Sequence, residues 1–168
     1  MDKKKQQYLL KKRQSLQQEI VLNKLRDKIS FQIAYLKKNN FNFTLYYKNE
    51  YLTWLQNSLP FIKRENCSGQ LDYQINPNTF KPNNYTFSSS KEMIDIIREQ
   101  LPKVISINSL VIICYDGGNP EIEISLQTLL ANPTTFINGA ETWLIAKNKS
   151  VVLEYICFKN TLSIFILE

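Results

Sequence analysis

The first quarter of the chain has the hydrophobic spacing of a helix. Across residues 7–36 apolar residues recur at steps of three, four, five and seven among Lys, Arg and Gln, and neither Gly nor Pro occurs before Pro60. This spacing places the apolar side chains on one face of a helix. We predict one long helix, broken at most once and ended near Asn39-Asn40. Segment 16–36 is expected to pack on the body, while residues 1–15 fray in solvent.

The remainder of the chain alternates between strand-like and helical patterns. The elements predicted before its last quarter are a strand at 41–47, a helix at 50–59, a short strand at 70–75, a helix from 88–90 to Gln100 or Pro102, a buried strand at 110–115 and a short helix at 125–131. Three strand-like runs separated by polar turns close the chain, at 142–146, 151–158 and 162–167. We therefore predict a single α+β domain over residues 1–168, in which a mainly antiparallel sheet ends in a three-strand meander and is covered by helices.

Composition removes several classes of function. The 168 residues include no histidine, which excludes Ser-His-Asp and Cys-His nucleophilic pairs and the commonest neutral metal ligand. The three cysteines lack CxxC spacing, and two of them, Cys114 and Cys157, lie in strand-like runs typical of buried thiols in a reducing compartment. No secretory leader is evident, and the longest apolar run has six residues. We predict a cytoplasmic, non-enzymatic protein without metal, cofactor or membrane span.

Charge is divided unevenly along the chain. The formal net charge is +6, but residues 1–40 carry +8 and residues 41–168 carry −2. A cationic arm can track phosphates, because each Lys or Arg that meets a phosphate releases a counterion. The candidate nucleic-acid contacts are Lys3, Lys4, Lys5, Lys11, Lys12 and Arg13. Interleaved Gln and Lys are equally typical of a solvated helix face, so nucleic-acid binding is the alternative hypothesis.

Acidic residues surround the turn that follows the strand at 110–115. Asp116, Glu121 and Glu123 have three interpretations: a solvated turn, a surface for a basic partner, or a metal or acid–base site. A carboxylate enzyme would lose a metal-dependent activity on the change Asp116→Asn. Glu141 and Trp143 open the meander, where the Trp is either a core residue or an anchor for a partner protein.

Four segments together have the layout of a known class of protein. They are Tyr115-Asp116-Gly117-Gly118-Asn119-Pro120, Asn132-Pro133-Thr134-Thr135-Phe136, Glu141-Thr142-Trp143-Leu144-Ile145 and Val152-Leu153-Glu154-Tyr155. Over residues 105–168 this layout resembles bacterial immunity proteins of polymorphic-toxin and contact-dependent growth inhibition systems. The resemblance implies an inhibitor without catalytic residues, which often presents carboxylates to a basic toxin.

From these observations we predict a protein that binds and neutralises one partner protein, most plausibly a toxin domain. The contact residues would be Asp116, Glu121, Glu123, Glu141 and Trp143, with charge complementarity speeding association and the aromatic slowing release. A cationic arm does not fit an inhibitor that mimics nucleic acid. Under this hypothesis the acidic side of the body alone would form the interface.

Overall fold

The computed structural model describes residues 3–65, 71–116, 120–138 and 141–167. The helices are α1 (Lys3–Lys28), α2 (Ser30–Lys38), α3 (Glu50–Ser58), α4 (Ser90–Val104), α5 (Leu126–Ala131) and α6 (Pro133–Phe136). The strands are β1 (Thr44–Tyr46), β2 (Phe61–Glu65), β3 (Leu71–Ile75), β4 (Asn83–Thr86), β5 (Leu110–Tyr115), β6 (Glu121–Ser125), β7 (Glu141–Ala146), β8 (Val151–Ile156) and β9 (Thr161–Ile166). One turn of 3-10 helix, Cys157–Lys159, connects β8 to β9.

Seven strands form one sheet in the order β1-β6-β5-β7-β8-β9-β4, with every neighbouring pair antiparallel. The strands β7, β8 and β9 are consecutive in the chain and adjacent in the sheet, which confirms the predicted meander. The remaining two strands, β2 and β3, form a separate antiparallel hairpin. The α+β fold with a mainly antiparallel sheet is therefore confirmed.

The two faces of the sheet bury different sets of residues, because successive side chains of a strand point to opposite sides. On one face, which we call the helical face, Leu144 and Leu153 pack with residues of α4, α5 and α6. On the other, the hairpin face, Ile112 and Trp143 pack with α3 and with Ile75 of β3. The sheet is thus covered on both sides, as its continuously buried strands β5, β7 and β8 require.

The N-terminal helix is broken once, at a single buried residue. Ile29 separates α1 from α2, has φ −116° and ψ 24°, and is 1% exposed. Beyond the break, Leu36 of α2 is buried in the cluster on the helical face. Packing does not begin at residue 16 as the spacing predicted, since Leu16 is 51% and Ile20 54% exposed. That expectation was wrong because residues 6–21 are exposed on every side of α1, so this part of the helix does not pack on the body.

Three strands were missed by the sequence pattern, namely β2, β4 and β6. The most consequential is β6, which inserts between β1 and β5 where the sequence suggested an acidic turn. Its Glu-Ile-Glu-Ile alternation sends the isoleucines to the helical face and the glutamates to the hairpin face. Glutamate is a poor strand former, so this alternation by itself does not predict a strand.

Helix α4 begins as predicted and ends slightly later. The Ser89 hydroxyl accepts the backbone N–H of Glu92, and the Glu92 carboxylate accepts the backbone N–H and the hydroxyl of Ser88, forming a reciprocal cap. The predicted boundary at Pro102 is wrong, since the helix continues to Val104. Pro102 is exposed and lies in the last turn, where it lacks the N–H that would donate to the carbonyl four residues earlier.

Candidate functional site

Four glutamates of the central strands are buried on the hairpin face. They occupy alternate positions of β6, β7 and β8, and each is at most 7% exposed: Glu121, Glu123, Glu141 and Glu154. Buried carboxylates are costly unless hydrogen bonds or charges compensate them. The partners of each carboxylate therefore decide whether this set serves folding or chemistry.

Glu121 holds the start of α3 against the sheet. Its two carboxylate oxygens accept the backbone N–H groups of Tyr51 (3.2 Å) and Leu52 (2.7 Å), two of the donors that the first turn of a helix leaves unpaired. The thiol of Cys114, in the neighbouring strand, also donates to it at 3.6 Å. Burial first, and then the Glu121 charge, raise the pKa of this thiol well above its ordinary value. Cys114 is thus a protonated core residue and a poor nucleophile.

Glu123 joins two side chains at the β1 edge of the sheet. Its Oε2 accepts the Tyr46 hydroxyl at 2.9 Å and the Lys147 ammonium at 2.9 Å. The hydrogen bond to Glu123 is the main cause that raises the pKa of Tyr46, and also the main cause that raises the pKa of Lys147. The carboxylate is therefore already neutralised by a cation of the same chain.

Glu154 connects the hairpin to the middle of the sheet. Its Oε1 accepts the indole N–H of Trp143 at 3.0 Å and the backbone N–H of Ile75, the last residue of β3, at 2.8 Å. Desolvation raises the pKa of Glu154, against the opposing effect of these hydrogen bonds and of the Lys159 charge. Its position opposite Trp143 in the β7–β8 pairing places both groups in one transverse row of the sheet.

The residues expected to contact a partner are thus mostly inside the protein. Trp143 is 1% exposed and packs against the Phe61 ring, with 5.9 Å between ring centroids, so its interpretation as a core residue is confirmed. Glu121, Glu123 and Glu141 are buried, and the expectation of an acidic surface at these positions was wrong. The cause is β6 itself, because pairing on both edges turns its glutamates toward α3. Asp116 is exposed at the end of β5.

Some predicted features lie outside the described residues. They are the turn residues 117–119 and Cys67, whose structure is not described. Of the other two cysteines, Cys114 is buried as expected and Cys157 is exposed, because β8 ends at Ile156 and the 3-10 turn carries the thiol out of the sheet. Within residues 3–65, 71–116, 120–138 and 141–167, no group of three or more Cys, Asp or Glu is placed to hold a metal ion.

Helix α1 contains the six cations of the alternative hypothesis. Lys11, Lys12 and Arg13 are exposed, and the backbone of Lys3, Lys4 and Lys5 forms the first turn of the helix. Over its whole length α1 carries nine Lys or Arg and two acidic residues. In the described part of the chain, no helix is both long enough and apolar enough to cross a bilayer.

The same helix exposes an unusual number of large apolar side chains. Six of them are about half exposed or more: Tyr8, Leu9, Leu10, Leu16, Ile20 and Val21. Leu9, Leu16 and Ile20 are separated by seven and four residues and therefore share one side of the helix. At 3.6 residues per turn, this side lies roughly 170° around the helix from the side formed by Leu22, Leu25 and Ile29. We call Leu9, Leu16 and Ile20 the outer stripe.

The inner side of α1 approaches the loop between β1 and α3. The Arg26 guanidinium donates to the Tyr47 hydroxyl at 2.6 Å and lies 5.6 Å from the centre of the Tyr47 ring. Above this contact, a groove of about 740 Å³ runs between the loop and the helix, along Val21, Leu22 and Leu25. The sequence pattern alone did not distinguish these residues from the outer stripe, since both have helical spacing.

Comparison with known proteins adds no family to these observations. No protein-family model matches the chain, and a search of curated proteins finds no significant match.

Proposed function

We propose that this protein is a non-catalytic inhibitor that binds one partner protein, in the manner of the immunity proteins it resembles, and that α1 contributes the contact surface. The observation that carries the proposal is the outer stripe. Monomeric globular proteins rarely leave many large apolar side chains together in water, and such patches are typical of interaction surfaces. Leu9, Leu16 and Ile20 lie on one side of a helix that is half-buried only from Leu22 onward.

The charge around the outer stripe indicates the chemistry of the partner. Lys12 and Arg13 flank Leu9 and Leu16 in the helix, while Glu19 is the nearby acidic residue. An apolar groove with an acidic rim would complement this surface, since opposite charges steer association and suppress wrong partners. This differs from the expectation of a basic toxin surface, because three of the four carboxylates that would have met such a surface, Glu121, Glu123 and Glu141, are buried in the fold.

Nucleic-acid binding through α1 remains the second candidate, supported by the exposure of Lys11, Lys12 and Arg13. Phosphate contacts would make affinity fall steeply with salt. They would gain nothing from Leu16 or Ile20, however, because apolar side chains do not interact favourably with a phosphate backbone. The apolar row therefore favours a protein partner over a duplex.

The proposal can be tested by protection from a toxin. If the gene lies directly downstream of a large secreted protein with a variable C-terminal domain, that domain is co-expressed with the chain in a laboratory bacterium. We expect the wild-type chain to restore growth. The double change Leu16→Asp and Ile20→Asp should abolish protection and weaken binding of the purified domain by about 30-fold or more, the equivalent of ~2 kcal/mol for a central contact.

Ile107→Asp provides the matched control. Ile107 is 48% exposed, close to the 51% of Leu16, but lies between α4 and β5. This variant should protect as well as the wild type at equal protein abundance. A double variant of α1 that still protects would contradict the assigned surface. Binding to duplex DNA that is lost above moderate salt and on deletion of residues 1–14, without binding to the toxin domain, would contradict the proposed inhibitor and favour the second candidate.

A further inference from the structure

A polar cleft lies on the hairpin face of the sheet. It has a volume of about 280 Å³ and is bounded by the end of β3 and by strands β8, β9 and β4. Two of its polar residues are buried, since Glu154 is 3% and Gln74 is 5% exposed. A cleft of this size is slightly smaller than the sites that take drug-sized molecules, so it suits a small molecule.

Glu154 leaves one carboxylate oxygen available in this cleft. Both of its hydrogen bonds, from Trp143 and Ile75, go to Oε1. Within the described part of the chain Oε2 accepts no hydrogen bond, and it is not among the atoms sealed from solvent. The carboxylate cannot turn without breaking both bonds to Oε1, so Oε2 is held in place as an acceptor.

Gln74 provides a donor in the same cleft. Its Oε1 accepts the Lys159 ammonium, which distinguishes the two ends of the amide and leaves Nε2 with both of its hydrogens. Among the residues that the structure describes, Nε2 donates to no acceptor, and it is not sealed from solvent. A donor in a buried side chain costs free energy unless a ligand or water satisfies it.

These two groups form a complementary pair. Gln74 directly precedes Ile75, whose backbone N–H donates to Glu154 at 2.8 Å, so donor and acceptor line the cleft from neighbouring positions. A ligand that carries an acceptor and a donor next to each other would satisfy both. A primary carboxamide has this arrangement, whereas a carboxylate has only acceptors and an ammonium only donors. The side chains of Ile156 and Phe165 add an apolar wall.

We propose that this cleft binds a small primary carboxamide with an apolar body. Its carbonyl oxygen would accept from Gln74 Nε2, its N–H would donate to Glu154 Oε2, and its body would lie against the apolar wall. Lys159 has no role beyond orienting the Gln74 amide. The inference is independent of the proposed inhibitor function, because none of these residues belongs to α1.

The test uses benzamide as the probe, with calorimetry or NMR titration of the full chain. Acetophenone has a methyl group in place of the amide nitrogen, and benzoate has a second oxygen there, so both keep the shape and lose the donor. We expect saturable binding of benzamide, and a loss of about tenfold or more for each analogue, the effect of an unmade hydrogen bond to a charged group.

Exchanging the two protein groups separates a binding role from a structural one. Glu154→Gln should keep its oxygen on Trp143 and Ile75 and present its NH2 to the cleft, which weakens benzamide by about tenfold and strengthens benzoate. Gln74→Glu presents two acceptors and should weaken both ligands. The double variant again offers one donor and one acceptor, with their places exchanged. Because a carboxamide can turn about its C–C bond, the double variant should regain benzamide binding.

Glu99→Gln is the matched control, because Glu99 is an exposed glutamate of α4 that does not line the cleft. It should bind benzamide as the wild type does. Circular dichroism checks folding, and Gln74→Glu decides the outcome if Glu154→Gln is unfolded. No saturable benzamide binding up to about 10 mM, equal binding of benzamide and acetophenone, or no recovery in the folded double variant would each overturn the assignment. Tighter binding of N-acetylglutamine methylamide than of benzamide would indicate a glutamine side chain of a protein as the occupant and would equally overturn it.

Discussion

Burial follows opposite patterns on helix α1 and on the hairpin face of the sheet. On the hairpin face, Glu121 and Glu154 are buried and accept backbone N–H groups of α3 and of the hairpin, which holds both to the sheet. On α1, Leu16 and Ile20 stand in solvent. Residue type alone therefore predicts exposure wrongly in these two regions, because the glutamates are buried and Leu16 and Ile20 are exposed. The difference arises from neighbours, since backbone N–H groups without partners attract buried acceptors, whereas one side of a projecting helix has nothing to pack against.

Removing a buried carboxylate should have the largest effect on stability. Glu154→Ala leaves the Trp143 indole and the Ile75 backbone N–H without their acceptor. With about 1–3 kcal/mol for each buried donor left unsatisfied, we expect a loss of about 4 kcal/mol in the free energy of unfolding, measured with urea. Glu154→Gln, which keeps an acceptor oxygen, should lose much less. Equal stability of the alanine variant and the wild type would show that these two bonds do not hold the hairpin.

Replacing an apolar side chain by alanine should change stability by different amounts at the two ends of the N-terminal arm. Ile29→Ala removes a buried side chain and should cost about 3 kcal/mol. Leu16→Ala removes one that is half exposed and should change stability by no more than ~0.5 kcal/mol. Thermal unfolding of the two variants side by side measures the contrast. A loss at Leu16 as large as that at Ile29 would mean that the outer stripe packs within the chain and is not available to a partner.

The smallest effect is a dependence of stability on pH. The pKa of Glu154 in the folded chain is raised above its ordinary value of 4.5, mainly by desolvation. The folded state therefore binds the proton more tightly than the unfolded state, and this contribution to stability is lost as pH rises from about 4.5 through the folded-state pKa. Urea midpoints taken between pH 4 and pH 7 should decline more in the wild type than in Glu154→Gln. A steeper decline in the variant would contradict this sign.

Much of the fold was predictable because local patterns dominate it. The meander β7-β8-β9 follows from three apolar runs separated by short polar turns, and α4 follows from its serine cap and helical spacing. The strand β6 was not predicted because two of its alternating residues are glutamates, which are poor strand formers. Only pairing with β1 and β5 makes it central.

The candidate site was predictable to a smaller extent. Charge counting identified α1 as cationic, but spacing alone did not separate Leu16 and Ile20 from Leu22 and Leu25. That separation depends on which side of the helix meets the body. No sequence signal joins Gln74, Glu154 and Lys159, since they come from distant parts of the chain and meet only after the hairpin folds onto the sheet.

The sequence by itself determined the class of fold, the absence of histidine chemistry and the uneven division of charge, because each depends on residue identity or short-range periodicity. Tertiary structure alone decided which charged residues reach solvent. Glu121 and Glu123 follow a strand as surface residues often do, yet they are buried because β6 lies between two neighbours beneath α3. Burial is a property of what packs against a residue, and that is fixed by contacts between segments far apart in the chain.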